Sequence, residues 1–242
     1  MSRVVLCSAM RNAAQHVPRY FQQVAGLYLA LAALGMTPYL LIGEGDSTDA
    51  TRPMLIEAMR QTGLAGKLID TTHGGPSFGP VENRQRFAQL AGVYNTLWLH
   101  IPADAEAVIF VEGDLIWRPH TLAVLVVRLT LYPAVAPMVM HAPGCTLYGD
   151  PQGRWFYDTW AFRLGGQRFS NRPPYHPDVN GGATCGAVPL DSAGSCIAMR
   201  AEVAASAYFP PDDMVLGMTR QLAAQGTPVY LQPDLEVEHP NG

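Results

Sequence analysis

Hydrophobic residues fall along this chain in two alternating rhythms. Residues 3–8 (RVVLCS) are a compact apolar run closed by small polar residues, the pattern of a buried strand. Next, Val17, Tyr20, Phe21, Val24, Leu27, Tyr28, Leu31 and Leu34 recur at three- and four-residue steps. That spacing predicts an amphipathic helix, with Gly35 as its stop. The exchange then repeats. Strand-like residues 38–42 precede a short helix over 53–61, and a weak strand over 67–70 leads into a Gly- and Pro-rich loop over 71–80. A helix over 82–100 carries Phe87, Leu90, Ala91, Tyr94, Leu97 and Trp98 on one face, and residues 107–111 (AVIFV) form another buried strand. Strands alternating with helices predict an α/β fold with a parallel sheet, whose ligands gather at the carboxyl ends of the strands. Past about residue 140 the rhythm loosens. Residues 141–186 are rich in Gly, Pro and aromatics, 188–200 read as strand, 213–225 as helix, and 229–231 and 235–237 as short strands. No repeat or linker interrupts the pattern, so one domain with an irregular second half is expected.

Composition narrows the class of protein. At 242 residues the chain is long enough to bury a full core as a single domain. A net charge of −4 implies no general basic surface for nucleic acid or anionic membrane. The four cysteines, Cys7, Cys145, Cys185 and Cys196, include no C-x-x-C pair, so reduced and mostly buried thiols are expected. The amino-terminal run turns polar too soon for a secretion signal, and the most apolar stretches, 24–34 and 122–131, are too short to span a bilayer. These features predict a cytoplasmic protein without an integral membrane segment, a state compatible with peripheral membrane attachment.

The most informative triplet is Glu112-Gly113-Asp114, directly after the strand at 107–111. In an extended segment residues two apart point the same way, so both carboxylates would face one spot, and Gly113 would let a ligand approach the backbone. Two close carboxylates suit Mg²⁺ or Mn²⁺, which would neutralise a diphosphate leaving group. The competing reading is a solvated acidic turn. Asn83-Arg84-Gln85-Arg86 opens a helix, where Arg84 or Arg86 would hold phosphate unless Glu82 and Arg86 merely form a surface ion pair. Trp155, Tyr157, Trp160 and Phe162, beside Asp158 and Arg163, offer either aromatic faces for an acceptor sugar or ordinary core packing. Asp191 precedes a small-residue stretch that would let a donor sugar approach, or that forms a turn.

The order and spacing of these pieces resemble the nucleotide-sugar glycosyltransferases of the GT-A fold, the broad family-2-like group in particular. GEGDSTDAT at 43–51 is similar to that family's acidic "DDGSTDGT" element, which implies that Glu44 or Asp46 touches the nucleotide base. EGD at 112–114 resembles its D-x-D metal motif with Glu in place of the first Asp. Pro211-Asp212-Asp213-Met214 resembles its acidic acceptor-side motif, and Val237-Glu238-His239 its late metal-joining histidine. Ser8-Ala9-Met10-Arg11-Asn12 stands where family members bind nucleotide, although it lacks the usual P-x-x-N shape. Residues 157–163 (YDTWAFR) also resemble the fungal capsule-type mannosyltransferases.

The resemblance implies a Rossmann-like, mixed but mostly parallel sheet, with a nucleotide-binding half over 1–114 and an acceptor-side half over 115–242. It implies transfer from a nucleoside-diphosphate sugar to a hydroxyl acceptor: a glycan, a lipid-linked glycan or a modified DNA base. Mn²⁺ or Mg²⁺ would sit on Asp114, Glu112 and His239. Ser8, Met10, Arg11, Arg84, Arg86, Gly113 and Asp191 would line the donor site. Asp213 would take the acceptor proton, with Asp212 as competitor, and one of the pair would cap the helix. A basic groove for nucleic acid would need Arg11, Arg84, Arg86, Arg154, Arg163, Arg168 and Arg172, against the acidic balance. Two rival classes stand beside this one. One is a non-catalytic nucleotide-sugar or glycan-binding module. The other is a serine hydrolase using Ser77 of Gly75-Pro76-Ser77-Phe78-Gly79 with Asp213 and His239, although the motif lacks the strand-to-helix turn such a nucleophile needs.

Overall fold

A computed structural model describes residues 2–79, 82–146, 148–150, 152–179 and 186–240; Cys185 and Pro80 lie outside the described residues. In chain order the elements are β1 (Arg3–Met10), α1 (Val17–Ala33), β2 (Thr37–Glu44), α2 (Thr51–Thr62), β3 (Gly66–Asp70), α3 (Arg84–Trp98), β4 (Ala105–Val111), α4 (Pro119–Arg128) and β5 (Ala134–His141). There follow β6 (Arg163–Leu164), β7 (Gln167–Arg168), β8 (Val188–Leu190), β9 (Cys196–Arg200), α5 (Ala201–Ser206), α6 (Met214–Ala224) and β10 (Val229–His239). Eight strands form one sheet in the order β3-β2-β1-β4-β9-β5-β10-β8, and β6-β7 is a separate hairpin. The pairs β2-β3, β1-β2, β1-β4 and β5-β10 are parallel; β9 runs antiparallel between β4 and β5, and β8 antiparallel to β10.

Helices cover the sheet as two layers, α1 with α2 and α4, and α3 with α5 and α6. This is why β4 and β5 are apolar almost throughout: a strand covered on both faces has no solvent side. The helix predicted over 17–34 ends at Ala33, and Gly35 takes φ 73°, as a helix stop without a Cβ does. Within the second helical layer, Asn95 of α3 clamps the backbone of Phe209, donating to its carbonyl at 2.9 Å and accepting its N–H at 3.0 Å.

Several expectations are corrected. The strand read over 188–200 is two strands, β8 and β9, separated by a turn that carries Ser195 at φ 53°. The two short strands read near the end are one, β10, whose register with β5 shifts between Gln232 and Glu236. Pro137 stands opposite Gln232 at that shift, and a proline has no N–H to give the ladder. The rhythm also passed over α4 and β5, because a continuous apolar run gives no periodicity to read.

β1 has β2 on one side and β4 on the other, so the chain reverses its direction of travel across the sheet at that point. An α/β sheet opens a crevice at such a switch, above the carboxyl ends of the strands. Both segments leaving those strands, 11–13 and 112–114, enter the crevice.

Candidate active site

The crevice is a cleft of about 410 Å³, beside a second compartment of about 250 Å³ with which it shares a wall of Arg86, Glu112 and Tyr157. In the larger compartment Asp114, just past β4, meets His239, the last residue of β10, at 3.4 Å between Oδ2 and Nε2. Tyr157 stacks flat on the His239 ring, 3.7 Å between centroids and 10° between planes. Arg19, in the first turn of α1, donates to the Asp114 carbonyl at 2.5 Å and reaches His16 Nδ1 at 3.3 Å. Burial opposes ionisation of Asp114, but the hydrogen bond and charge of His239 hold its carboxyl below the ordinary range. Glu112 goes the other way. Burial first, then the charges of Asp114 and Asp158, push its carboxyl up to about 8 against the opposing pull of Arg86 and Ser195.

The smaller compartment has a polar floor. Asp158 is buried, accepting the Ser195 hydroxyl at 2.7 Å and the Ala161 N–H at 3.2 Å. Its carboxyl is pushed up by burial. Trp160, stacked on Phe87 at 4.7 Å, forms one wall, and Met214 and Val215 another. The left-handed residues other than glycine are Asn12 (φ 50°), Asp46 (φ 58°), Ser195 (φ 53°) and Met214 (φ 48°) among the described residues. Three of them line the compartments, and the fourth follows Gly45, which also does. Such backbone is costly for a residue with a Cβ and concentrates where geometry serves a site.

The anticipated residues divide sharply. Met10, Arg11, Arg86, Glu112, Gly113, Asp114, Tyr157 and His239 line the larger compartment, and Asp158 and Trp160 the smaller. Among the described residues no group of three His, Cys, Asp or Glu side chains converges as a metal cage, so Glu112 does not join Asp114 and His239 in one. A Cβ on Gly113 would fall 2.7 Å from the Met10 side chain. That glycine therefore lets β4 exit close to β1, where the sequence reading had it admit a ligand. Arg11 aims its guanidinium at the carbonyls of Asp46, Gly75 and Pro76.

Others lie off the cleft. Ser8 is buried under the Tyr20 hydroxyl at 2.8 Å. Glu44 is buried in an ion pair with Arg52. Asp46 accepts the N–H groups of His73 at 2.9 Å and Gly74 at 3.1 Å, so its carboxylate holds a loop. Asp191 accepts the Gly166 N–H at 2.6 Å in the β6-β7 turn. Arg84 is exposed beside the cleft. Trp155 is buried and donates to the Asp150 carbonyl. Asp213 precedes the lining residue Met214 and is paired with Arg220 at 3.0 Å; it makes no side-chain cap to α6, and Asp212 is exposed. The helix α3 is instead capped by Asn83, which accepts from Gln85 and Arg86.

Neither a serine triad nor a basic groove assembles among the described residues. Ser77 lines the cleft from an extended loop, while Asp213 and His239 are engaged with Arg220 and Asp114. The arginines a nucleic-acid groove would need are largely committed, Arg154 to Glu236, Arg168 to Glu82, and Arg172 over the Trp155 ring. No helix among the described residues is long and apolar enough to cross a membrane. Sequence reasoning missed His16, His73 and Phe78, all of which line the cleft. Their only signal was position after β1 and β3.

No family model matches the sequence, and no curated protein sequence matches it. Solved structures do. A mannosyltransferase, PcManGT from Pyrobaculum calidifontis, solved with GDP-Man and Mn²⁺, is similar at 15% identity and a TM-score of 0.61 over 98% of this chain and 56% of its own. TarS residues 1–349 from S. aureus, solved with UDP-GlcNAc, is similar at 14% identity and a TM-score of 0.57, over 100% of this chain and 59% of its own. A nucleoside-diphosphate-sugar pyrophosphorylase from Vibrio cholerae RC9 follows at 9% identity and a TM-score of 0.51, over 97% and 93%. The chain thus spans less than two thirds of either glycosyltransferase structure. At these identities the likeness establishes the fold, a mixed α/β sheet of the GT-A, Rossmann-like type.

Proposed function

We propose that this chain is a metal-dependent glycosyltransferase that moves a sugar from a nucleoside diphosphate to a hydroxyl acceptor. The observation that carries this reading is the meeting of Asp114 and His239 at 3.4 Å in the switch-point cleft. A carboxylate oxygen facing an imidazole nitrogen suits Mn²⁺ better than Mg²⁺, which takes oxygen almost alone. The pair is also prepared for a ligand's role. Tyr157 fixes the ring plane of His239, and Arg19 braces the Asp114 backbone. Two protein ligands leave the remaining positions to phosphate oxygens and water, as a substrate-binding metal requires. The bound metal would offset the charge on the departing diphosphate.

The chain's own residues supply the rest. Arg86, in the wall between the compartments, would hold a phosphate as the sugar lies toward Glu112 and Tyr157. The smaller compartment would take the acceptor, with Trp160 against its ring. As the acceptor oxygen bonds to the anomeric carbon, the bond from that carbon to the diphosphate oxygen breaks. The hydroxyl proton would pass to Asp213, next to the lining residue Met214, once its pairing with Arg220 loosens. Asp158 is a poorer candidate, because both its oxygens already accept hydrogen bonds.

A thermal-shift screen of nucleoside diphosphates and nucleotide sugars, with and without Mn²⁺, tests the reading. At least one nucleotide should raise Tm only when Mn²⁺ is present, since a ligand of the folded state stabilises it by mass action. Consumption of the matching nucleotide sugar would separate an enzyme from a binding module. Indifference to every nucleotide under both conditions would end the proposal.

A further inference from the structure

Three arginines, Arg163, Arg168 and Arg220, gather beside residues that line the smaller compartment, and only two are matched by carboxylates. Arg168 on β7 is paired with Glu82 at 3.2 Å, and Arg220 on α6 with Asp213 at 3.0 Å. Arg163 is the direct partner of Arg168 across the β6-β7 hairpin and lies within electrostatic reach of Arg220, Asp213 and Glu82 as well. Among the described residues its side chain has neither an ion-pair nor a hydrogen-bond partner, and its Nε is buried. Burial, then Arg168 and Arg220, push its guanidinium below the ordinary range.

The group adjoins the compartment through its neighbours. Glu82 lines it, Arg163 follows the lining residues Trp160 and Ala161, and Asp213 precedes the lining residue Met214. Three guanidinium groups against these two carboxylates leave one positive charge in excess, and it falls on Arg163, whose Nε is buried while Arg168 and Arg220 are half-exposed. An oxyanion balances that charge, and the forked geometry of arginine suits it.

We infer that the acceptor carries an oxyanion, of phosphate or carboxylate type, close to the hydroxyl that receives the sugar, and that Arg163 with Arg220 binds it. This rests on the glycosyltransferase reading of the cleft and adds the chemical class of the acceptor. Binding the oxyanion to Arg220 would also loosen its hold on Asp213, the group placed to take the proton.

The test titrates glycerol 3-phosphate, glucuronate, glycerol and glucose into the protein by calorimetry, in the presence of Mn²⁺ and whichever nucleoside diphosphate stabilises it most. One charged probe should bind about tenfold more tightly than its neutral counterpart, the scale of a charge-assisted pair. Preference for glycerol 3-phosphate assigns a phosphate, and preference for glucuronate a carboxylate. Arg163→Gln should remove most of that preference and Arg163→Lys should keep much of it. Equal binding of charged and neutral probes by the unaltered protein, or an undiminished preference in Arg163→Gln, overturns the inference. Nucleotide stabilisation read on the same samples keeps the two readings apart. If it is present without anion preference, only the acceptor class fails. If anion preference survives without it, the arginine site stands and glycosyl transfer falls.

Discussion

The two compartments of the cleft meet at Glu112 but are built differently. The larger one has its floor in residues that leave strands, Met10 to Ala13 at the end of β1, Gly45 after β2, Glu112 to Asp114 after β4, and His239 closing β10, with α3 and the 71–79 loop as its walls. The sheet fixes these positions, and the polar groups there remain accessible. Asp114 is 37% exposed. The smaller one is walled by connections, residues 157–161, Ser195 and the start of α6, and it is held by a buried polar network centred on Asp158, which is 7% exposed. The first region inherits its geometry from hydrogen-bonded strands, so its side chains are free to serve chemistry. The second must spend side chains on holding its own backbone.

Substitutions should therefore separate the two. Asp114→Ala is expected to lower transfer by about 10³-fold or more, equivalent to about 4 kcal/mol of barrier, with Tm nearly unchanged. Activity and circular dichroism on one preparation check this, and full activity would remove Asp114 from the chemistry. Asp158→Ala should show the reverse emphasis. It strands the Ser195 hydroxyl and the Ala161 N–H in a buried place, a cost of about 2–3 kcal/mol. Tm should fall by about 5–10 °C. A variant as stable as the parent would mean that the floor of the smaller compartment is held by something else.

That division also explains what the sequence disclosed. Strand ends are legible, because a compact apolar run followed by polar residues marks both the element and the place where ligands gather. Glu112, Gly113 and Asp114 are read this way and Met10 and Arg11 through the family resemblance of the segment after β1, and all line the cleft. His239 was found through its place after a late strand. The fold was legible for the same reason as far as β4. The clasp that Asp46 makes on the loop at 73–74 escapes such a reading, because no local pattern reveals those N–H groups. Asp191 and Glu44 likewise have partners set by tertiary contact, Gly166 and Arg52. The unmatched arginine at 163 emerges only when β7, α6 and the start of α3 come together.

Glu112 stands on the boundary, and pH should expose it. Its carboxyl is pushed up to about 8, against an ordinary value near 4.5 in the unfolded chain. Between those limits the folded state keeps a proton that the unfolded state gives up, so stability from this group is full below about pH 4.5 and is lost as pH rises toward 8. The loss cannot exceed about 1.4 kcal/mol per pH unit, and solvent at the cleft mouth makes it smaller. Glu112→Gln, which carries no charge to bury, should flatten the curve. Measured in chelator, its Tm should exceed that of the parent at pH 8 by a few degrees and match it near pH 4. Parallel curves would mean that Glu112 ionises as freely as a surface carboxylate.

Asp46 supplies the smallest and most discriminating test. Its resemblance-based role is contact with the nucleotide base, whereas its carboxylate accepts the His73 and Gly74 N–H groups and its carbonyl accepts Arg11 at 3.2 Å. Those N–H groups hold its carboxyl below the usual range, so its contribution has the opposite sign to that of Glu112: present above about pH 4 and lost as pH falls further. If the residue only clasps the loop, Asp46→Ala should weaken nucleotide binding by less than about tenfold, the worth of one or two exposed hydrogen bonds. Asp46→Asn, which keeps an acceptor oxygen and tolerates φ 58°, should recover most of that. Calorimetric titration of the nucleotide chosen by the thermal screen decides it. A loss in both variants as large as that of Asp114→Ala would return Asp46 to the base, and would place a functional carboxylate where the present geometry has a structural one.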